Sequence, residues 1–379
     1  MFHELAPHEF ARAEPLFQGF DYSLSICAVL AGDSPGRIFV DDVERPRTAL
    51  ALTIEGYLLA GDDGNPTTNR SLRQLFQESI FTGQVVVDFD DYMALAVHPA
   101  TWEARLPELI PTHEAEKVPS YHYRCREVNF DWRAHLPEGY TVHRIDSTLL
   151  GRSDIAVSDT ILKWAPIEKR WGTVENFTSK GLGFCVAYNG QAVSWCVADC
   201  ASGDRMTVSI ITLRAHRRRG LAAVAAAATV EYALSHGFSA AEWHCDYDNI
   251  GSWKTAEKVG FERQREYTYY YYIFDPIDQL AQLGERAFLS REYDKSAQHY
   301  DRAFALRENH PGYCYHFAAA ARAALGDTKK AVRLLRAAVE HGWTDAERTR
   351  QVAEFGVLHG AAEWKTILAR MENAAKRAI

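Results

Sequence analysis

One segment constrains this chain more than any other, because a β-strand, an arginine-rich turn and an alanine-rich helix follow one another directly. The strand-like stretch is Met206–Thr212, the turn holds three arginines at 217–219 and then Gly220, and the helix covers about 219–236. Backbone N–H groups and the helix dipole attract anions to a helix N-terminus, and arginine side chains add donors that suit phosphate. The segment therefore predicts a site for a phosphate-bearing ligand.

Small residues in this segment have separate expected roles. Gly220 would let the backbone approach phosphate oxygens, and Ala222 would keep the first helical turn slim. Gly237 follows the helix at the position where glycine commonly ends one. A basic helix start is also typical of solvated surfaces, so the prediction depends on the place of the motif between a strand and a helix.

The composition limits the class of protein. Of 379 residues, 47% are hydrophobic and 24% are charged, which is typical of a folded chain with two or three domains. A formal net charge of −8 argues against a general nucleic-acid binder and agrees with a cationic substrate. No apolar run reaches the roughly 20 residues that span a bilayer, and the N-terminus has no secretory signal pattern. We therefore expect a cytoplasmic protein with neither a nucleic-acid nor a membrane partner.

The cysteines give no sign of a metal site. There are seven, an odd number scattered over a long chain, which argues against a disulfide framework. Cys196 and Cys200 would face the same side of a strand, but no matching Cys or His pair follows at metal-ligand spacing. We expect reduced, buried cysteines and no metal.

Residues 1–135 have the pattern of mixed helices and strands. The helix-like stretch is Ser71–Ile80, and the prolines at 107, 111 and 119 predict an ordered connection after it. The strand-like stretches are Arg37–Asp42, Thr48–Ile54 and Val85–Phe89.

Residues 136–275 carry stronger strand signals. Asn189-Gly190 joins two β-rich runs, Gly183–Tyr188 and Gln191–Val197, and this dipeptide is a strong indicator of a hairpin. After the alanine-rich helix, the pattern predicts the strand Trp243–Tyr247, a helix over Gly251–Val259 that Gly260 closes, and the aromatic strand Tyr267–Phe274.

Residues 276–379 have the pattern of paired helices. Ser296, Tyr300 and Ala303 recur 35 residues later as Ala331, Leu335 and Ala338. This small–large–small spacing resembles tetratricopeptide repeats. Two copies are typical of a helical cap that stabilises the rest of the chain. The alternative is a docking surface for a protein partner, and in that case aromatic residues such as Tyr313 and Tyr315 would have no partners within the chain.

The phosphate-site motif resembles the family signature R/Q-x-x-G-x-G/A of the GNAT acetyltransferases, with Ala222 in the last small position. Asn249–Phe261 is similar to the second motif of that family, in which the Asn contacts the pantetheine arm or the substrate. The resemblance implies acetyl-CoA as the cofactor and an N-acetyltransferase activity. The cofactor-binding residues that it implies are Ile211, Thr212, Leu213, Arg217, Arg218, Arg219, Gly220, Leu221, Ala222, Asn249 and Ser252.

Other segments of residues 1–275 resemble one particular family within the GNAT acetyltransferases. They are similar to the bacterial GNAT family that includes the zwittermicin A self-resistance acetyltransferase. That family implies an α/β (α+β) GNAT fold with two tandem GNAT-like domains, 1–135 and 136–275, followed by an all-α tetratricopeptide-like domain at 276–379. Residues 1–135 contain no second phosphate motif, so the first domain is expected to be degenerate. The segments that carry this likeness are Gly36–Asp42, Pro46–Ala49, Leu59–Asp62, Gly181–Cys185, Ser194–Cys196, Val208–Thr212 and Ala256–Phe261.

The reaction implied by the family is direct attack of an amine on the acetyl-CoA thioester. The strand before the arginine turn should splay from Trp243–Tyr247, so that backbone N–H groups hold the pantetheine arm. Many relatives have a Tyr as the acid for the thiolate where this chain has Ala256. The catalytic candidates are therefore Ser252, His244 and the Tyr267–Tyr272 strand for the acid, and Glu242 or Asp246 for the base. Trp171, Trp195 and Trp243 are candidates for the wall of a substrate pocket, although tryptophan more often packs in a core.

Three functions remain open at this point. The first is acetylation of a primary amine on a small polar molecule, for example an aminopolyol antibiotic or a related metabolite. The second is acetylation of a protein or peptide that docks on the helical tail. The third is an acyl-CoA-binding regulator without turnover, which the missing Tyr suggests. The sequence does not indicate the oligomeric state.

Overall fold

The computed structural model describes residues 2–87, 91–151 and 154–377. The chain divides into two compact units. The first comprises the chain up to Pro111 together with Lys117–Tyr272, and the second comprises Thr112–Glu116 together with the chain from Ile273. The predicted boundary at residue 135 lies inside the first unit and remains a prediction. In the described ranges, no helix combines the length and apolar character that crossing a membrane requires.

Twelve strands form one mixed sheet in the described part of the chain. Their bounds are β1 (His3–Glu4), β2 (Arg37–Val40), β3 (Thr48–Thr53), β4 (Gly56–Gly61), β5 (Tyr92–His98), β6 (Glu116–Cys125), β7 (Tyr140–Arg144), β8 (Gly183–Tyr188), β9 (Gln191–Ser202), β10 (Arg205–Thr212), β11 (Ala240–Asp246) and β12 (Glu262–Ile273).

The strand order shows that the two halves of the sheet exchange their last strands. The order is β1-β2-β3-β4-β5-β12-β6-β11-β10-β9-β8-β7. The C-terminal strand β12 therefore lies beside β5 of the N-terminal half, and β6 pairs with β11 of the C-terminal half. This exchange places residues from both halves around the centre of one sheet.

Helices accompany the strands in the first unit, and further helices make up most of the second unit. Short 3-10 or π turns also occur at Pro7–Arg12, Glu14–Phe20, Phe76–Ile80, Ala100–Arg105, Arg214–His216 and Ala353–Leu358. The α-helices are α1 (Leu24–Leu30), α2 (Pro66–Leu75), α3 (Leu106–Leu109), α4 (Ser147–Leu150), α5 (Asp159–Trp164), α6 (Ile167–Trp171), α7 (Val174–Lys180), α8 (Leu221–Ser235), α9 (Ile250–Val259), α10 (Pro276–Leu289), α11 (Tyr293–Leu306), α12 (Gly312–Ala324), α13 (Thr328–Glu340), α14 (Ala346–Gln351) and α15 (Ala362–Arg377).

Helix α8 forms much of the core of the C-terminal half. Its alanines 223 and 225–228 are buried. Small side chains let the helix axis lie close to strands β8 and β9. The Thr229 hydroxyl, also buried, donates to the Cys196 carbonyl of β9 at 3.3 Å. Gly237, at φ 102°, follows the helix and confirms the predicted stop.

The second unit buries both predicted small–large–small sets. Helices α11 and α13 place Ser296, Tyr300 and Ala303, and then Ala331, Leu335 and Ala338, in the interior. A Cβ on Gly284 of α10 would lie 2.8 Å from the Tyr300 ring, so this glycine lets α10 approach α11. Tyr315 is buried, and its hydroxyl donates to the Glu308 carbonyl at 2.8 Å, so the expectation that it is unsatisfied is wrong.

The local predictions are confirmed where turn chemistry is strong. Asn189 and Gly190 have φ values of 48° and 73° and close the β8–β9 hairpin. The predicted helix at 71–80 begins earlier, at Pro66, because the Asn65 side chain accepts from the Thr67 and Thr68 N–H groups. The predicted strand at 85–89 is absent over 85–87, and its remainder lies outside the described residues.

The stretch with three prolines was expected to be a connection, but it contains strand β6. Pro119 lies next to the last β6–β11 pair, Ser120↔Asp246. Its carbonyl accepts from Tyr247 N–H at 2.9 Å. Proline is tolerated near the end of the pairing with β11, because at this position only its carbonyl oxygen forms a hydrogen bond and no N–H group is needed.

Candidate active site

Strands β10 and β11 separate at the centre of the sheet. They pair in parallel only from Arg205↔Ala240 to Thr207↔Glu242. Beyond this point β10 continues to pair with β9 as far as Thr212, and β11 continues to pair with β6 as far as Asp246. A wedge therefore opens between the two strands, as the sequence predicted.

A cavity of about 790 Å³, the basic cavity, lies at this wedge. Five of its lining residues can carry a positive charge, and none of those described is an aspartate or glutamate. This charge suits a polyanionic ligand such as the phosphates of CoA. The lining comprises Ile210, Ile211, Thr212, His216, Arg217, Arg218, Gly220, Leu221, Ala222, Ala223, Asn249, Gly251, Ser252, Lys254, Thr255 and Lys258.

The N-terminus of α8 opens onto the basic cavity. Its cap residue, Gly220, adopts the left-handed conformation with φ 79° and ψ 0°, and no side chain caps the first N–H groups. A Cβ at Gly220 would meet no atom within 4 Å, so glycine is needed here for its backbone conformation and not to relieve crowding from the protein. Arg218 also has a positive φ of 62°. The turn thus leaves backbone donors free for an anion.

The backbone of β10 shows which N–H groups face the wedge. Leu213 N–H donates to the Val193 carbonyl at 2.9 Å, so it points toward β9. Because the direction alternates along an antiparallel pair, Ile211 N–H also points toward β9, whereas those of Ile210 and Thr212 point into the wedge. The prediction for Thr212 agrees with this geometry. The backbone role predicted for Ile211 and Leu213 is wrong, because β9 occupies that side.

The three arginines of the turn have different positions. Arg217 and Arg218 line the basic cavity. The Arg217 Nε donates to the Thr212 carbonyl at 3.0 Å, which ties the turn to the end of β10. Arg219 instead donates to the Tyr140 hydroxyl of β7 at 3.0 Å and lies outside the described lining. Its predicted role as a phosphate ligand is therefore not supported by its position.

A second cavity, the acidic cavity, adjoins the first. Its volume is about 320 Å³, and the two cavities share Ile210, Asn249 and Ser252. Three carboxylates and one guanidinium are among its lining residues. The lining comprises Glu55, Arg170, Asp199, Thr207, Val208, Ser209, Ile210, Trp243, His244, Cys245, Asp246, Asn249, Ser252, Tyr267, Tyr269 and Tyr271.

Asn249 and Ser252 lie where the two cavities meet. The Asn249 side chain caps α9 and accepts from Ser252 N–H at 3.2 Å. The Trp243 Nε1 donates to the Ser252 Oγ at 2.9 Å. Both residues therefore have a structural role and also line the cavities. The Ser252 oxygen accepts from Trp243, and its hydroxyl also hydrogen-bonds to the Cys245 side chain, which lowers the pKa of that thiol against the effect of burial.

Glu242 is not placed to serve as the base. It is fully buried, and its carboxylate is paired with His122 at 2.7 Å, Arg124 at 2.8 Å and Arg205 at 3.0 Å. Burial raises the pKa of Glu242, but His122 and Arg124 outweigh that effect and lower it overall. Glu242 lines neither cavity, so its position does not support the predicted catalytic role.

His244 and Asp246 do line the acidic cavity. Burial and the neighbouring His122 lower the pKa of His244 to about 3, so its ring is neutral near pH 7. Its Nδ1 lies 3.0 Å from the Tyr267 hydroxyl. Asp246 accepts from Ser120 at 2.9 Å and from Tyr271 at 3.2 Å. Both are therefore held in hydrogen-bonded positions at the cavity wall.

The tryptophans divide between the wall and the core. Trp243 lines the acidic cavity, whereas Trp171 and Trp195 are buried in the core of the C-terminal half. Of the three tryptophans predicted to line a substrate pocket, only Trp243 lines the acidic cavity. Ala256, in the place of the usual Tyr, is fully buried and offers no acid.

Several residues of the site were not predicted from the sequence. Lys254 and Lys258 are four apart on α9, a spacing that could have identified them. Asp199 forms a buried ion pair with Arg170 and accepts from Ser209 at 2.7 Å. Glu55 comes from the β3–β4 hairpin of the N-terminal half, and no local signal connects it to the site.

Comparison with known proteins agrees with this geometry. Residues 14–270 match the family described as GNAT acetyltransferase. YdfB, an uncharacterized N-acetyltransferase of Bacillus subtilis (strain 168), is 26% identical over 269 residues, which cover 71% of this chain and 97% of YdfB. YjdG, another uncharacterized N-acetyltransferase of that strain, is 36% identical over 81 residues, which cover 20% of this chain and 48% of YjdG.

A solved structure shows the same fold. A GCN5-related N-acetyltransferase-like protein from Streptococcus suis 89/1591 is 24% identical with a TM-score of 0.51, covering 69% of this chain and 98% of that one. The family match spans more than half of this chain and includes both the arginine turn and the motif around Asn249. The chain therefore belongs to the GNAT acetyltransferase family and is an N-acetyltransferase of the GNAT type.

Proposed function

We propose that the protein transfers the acetyl group of acetyl-CoA to a primary amine of a small polar molecule, by direct attack in a ternary complex. The observation that carries this proposal is the contact between a basic and an acidic cavity at Ile210, Asn249 and Ser252. The basic cavity suits the phosphates of acetyl-CoA, and the acidic cavity suits an ammonium group. The two reacting groups would then meet where the strands separate.

The residues of the basic cavity fit acetyl-CoA without a further group. The open N-terminus of α8 and the side chains of Arg217 and Arg218 would hold the pyrophosphate. The N–H groups of Ile210 and Thr212 would hold the pantetheine arm along β10. Lys254 and Lys258 would add charge on the α9 side of the cavity.

The size of the acidic cavity favours a small acceptor. About 320 Å³ is at the lower end of the range for ligand pockets. The resemblance to the zwittermicin A self-resistance family points to an aminopolyol antibiotic or a related metabolite. The alternative of a protein acceptor docked on the tail loses one of its two aromatic candidates, because Tyr315 is buried. The alternative of a non-catalytic regulator rests on Ala256 alone.

We also propose that residues 1–135 are a degenerate GNAT-like domain. The parallel pair β4·β5 in this half corresponds to β10·β11 in the other half, and α2 follows β4 as α8 follows β10. The N-terminus of α2, however, is closed by the Asn65 side chain and Pro66. A helix start whose N–H groups are already satisfied has no free donors for phosphate.

The helices from residue 276 form, in this proposal, a tetratricopeptide-like domain. The two buried small–large–small sets on α11 and α13, together with the close packing of Gly284 on Tyr300, support it. We propose that this domain stabilises the chain and leave a protein partner as the alternative.

The test is calorimetric titration with acetyl-CoA and CoA, followed by a thiol-release assay over a set of primary amines. We expect micromolar binding and turnover on at least one small cationic amine. Binding without turnover would favour a regulator or a protein acceptor. A protein that binds neither acetyl-CoA nor CoA would contradict the proposed cofactor site.

A further inference from the structure

We propose that Glu55, on the N-terminal half, accepts the proton of the acceptor amine in the acidic cavity. This inference rests on the proposed function and adds a catalytic contribution from a domain that lacks a phosphate site. Glu55 lines the acidic cavity together with Thr207 and Asp199, and Ile210 lines both this cavity and the basic one.

The β3–β4 hairpin fixes the position of Glu55. Thr53 pairs with Gly56, so only Ile54 and Glu55 form the loop. Glu55 N–H donates to the Thr53 hydroxyl at 3.2 Å, and the Tyr269 hydroxyl of β12 donates to the Glu55 carbonyl at 3.1 Å. Because β12 is the exchanged strand, the strand exchange itself holds this loop against the site.

Gly56 lets the loop approach the sheet. It has a φ of 142°, and a Cβ there would lie 2.7 Å from the Ala94 carbonyl oxygen and 3.3 Å from the Tyr269 ring. Both the backbone conformation and the contact require glycine. The chain thus uses a special backbone position to bring Glu55 to the cavity.

A buried hydroxyl lies beside the Glu55 carboxylate in the acidic cavity. Thr207 is 2% exposed and lines this cavity, and its hydroxyl lowers the pKa of Glu55 by hydrogen bonding to the carboxylate. This contact holds the Glu55 side chain at the cavity wall. An amine nitrogen bound in the acidic cavity would share it with the Glu55 carboxylate.

The surroundings tune Glu55 for proton transfer near neutral pH. Burial and the Asp199 carboxylate raise the pKa of Glu55 to about 7, against the opposing effects of the Ser25 hydroxyl, the Arg170 guanidinium and the Thr207 hydroxyl. A base is most effective when its pKa is near the working pH. The other titratable groups that line the cavity are His244, Cys245 and Asp246 of β11 and Tyr267, Tyr269 and Tyr271 of β12, with Cys200 of β9 close behind.

The proposed step is balanced in protons and electrons. The ammonium group of the acceptor loses one proton to the Glu55 carboxylate, and the freed lone pair forms the bond to the thioester carbonyl carbon. The carbon–sulfur bond breaks with its electron pair on sulfur, and the nitrogen loses its second proton. The thiolate takes up one proton, so the products are the acetamide and CoA thiol, and Glu55 returns its proton to water.

The test compares Glu55→Gln with the matched control Glu44→Gln. Glu44 belongs to the same half, and its side chain is 81% exposed. The probes are acetyl-CoA with 1,4-diaminobutane and with glucosamine, and kcat/KM is measured across the pH range in which Glu55 and the amine titrate. Acetyl-CoA affinity by calorimetry and the thermal midpoint serve as controls of the cofactor site and the fold.

We expect the unaltered protein to show a rise in kcat/KM with an inflexion near pH 7. Glu55→Gln should keep its acetyl-CoA affinity within about twofold and lose about 100-fold in kcat/KM at neutral pH. With 1,4-diaminobutane, its inflexion should move to the pKa of the free alkyl amine, about 10. Glu44→Gln should match the unaltered protein.

Two results would overturn this inference. One is a Glu55→Gln variant with kcat/KM within about threefold of the unaltered protein and the same pH profile. The other is an unaltered protein that binds acetyl-CoA but releases no thiol with either amine. Failure to bind acetyl-CoA would be a separate result, because it contradicts the cofactor site in the C-terminal half. Glu55→Asp keeps the charge, so recovery of the inflexion near pH 7 in that variant would support proton transfer over a structural role.

Discussion

The indole nitrogen of Trp243 donates a hydrogen bond of 2.9 Å to the hydroxyl oxygen of Ser252. Trp243 is buried on β11, so it fixes the Ser252 side chain from the interior of the sheet. Ser252 lines both cavities at the place where they meet. Its hydroxyl also hydrogen-bonds to the Cys245 side chain, and in the proposed reaction it would donate instead to the departing thiolate of CoA.

The first prediction concerns this hydroxyl. Ser252→Ala should lower kcat by about 10- to 100-fold, because the thiolate loses a proton donor. The affinity for CoA measured by calorimetry should change little, because the phosphate contacts remain. Ser179→Ala, at an exposed serine of α7, is the control and should leave kcat unchanged. A normal kcat in Ser252→Ala would assign the donor role to water or to a tyrosine of β12.

The second prediction tests the anion site at α8. Gly220→Glu should abolish CoA binding, because it adds a negative charge where the phosphates would bind and strains a residue with φ 79°. Gly237→Glu is the matched control, since it places the same charge at a glycine with φ 102° and open surroundings at the other end of the helix. Both variants should lose about 1–2 kcal/mol of stability. Equal CoA affinity in the two variants would contradict the site.

The third prediction tests whether Lys254 and Lys258 act through their charge or by supporting the fold around the basic cavity. Lys254→Ala and Lys258→Ala should each weaken CoA binding several-fold, and more strongly at low salt. Neither should change the KM for acetyl-pantetheine, which lacks the nucleotide phosphates. Lys163→Ala, at an exposed lysine, should affect neither ligand. An equal loss for CoA and acetyl-pantetheine would show that these lysines act through the fold.

The fourth prediction concerns the acid stability of the helical unit. His316 is buried and stacks on Trp343 at 4.3 Å, and neither ring nitrogen has a hydrogen-bond partner in the described part of the chain. Burial, with a smaller effect of Arg348, lowers the pKa of His316 to about 3. Between pH 6.5 and that value the unfolded chain binds a proton that the folded chain does not. Stability should therefore fall as the pH falls, by up to about 1.4 kcal/mol per pH unit.

His316→Phe tests this linkage, because phenylalanine keeps a stacking ring and cannot be protonated. Thermal unfolding at neutral pH and at about pH 5 should show a smaller loss of stability in acid for the variant than for the unaltered chain. At neutral pH the variant should be equally or slightly more stable, since two unpaired polar atoms are removed. The same acid dependence in both proteins would exclude His316 as its source.

The exposed histidine His359 provides the control for that comparison. The centre of its ring lies 5.0 Å from that of Trp364, and its replacement by Phe keeps a ring at the surface. His359→Phe should leave the acid dependence unchanged, because it makes the same change of ring at the surface and leaves the buried His316 in place.

The sequence by itself determined the turns and helix ends that depend on only a few adjacent residues. The arginine turn with its glycine, the Asn189-Gly190 hairpin and the helix stop at Gly237 are set by backbone conformations that few other residues adopt. Most of the lining of the basic cavity comes from one strand–turn–helix segment, residues 210–223, so its motif could be identified from sequence spacing. The failure at Leu213 has a physical cause, because only the pairing with β9 decides to which side a strand N–H points.

The tertiary structure alone decided which residues line the acidic cavity. The sequence pattern of a strand shows which side chains share a face of the sheet, but it does not show which other strand lies next to it. The exchange of β6 and β12 between the halves could therefore not be predicted, and strand β6 was further hidden by Pro119. Glu55 becomes part of the acidic cavity only because long-range pairing brings the β3–β4 hairpin against β12 and β9, where burial beside Asp199 changes its pKa.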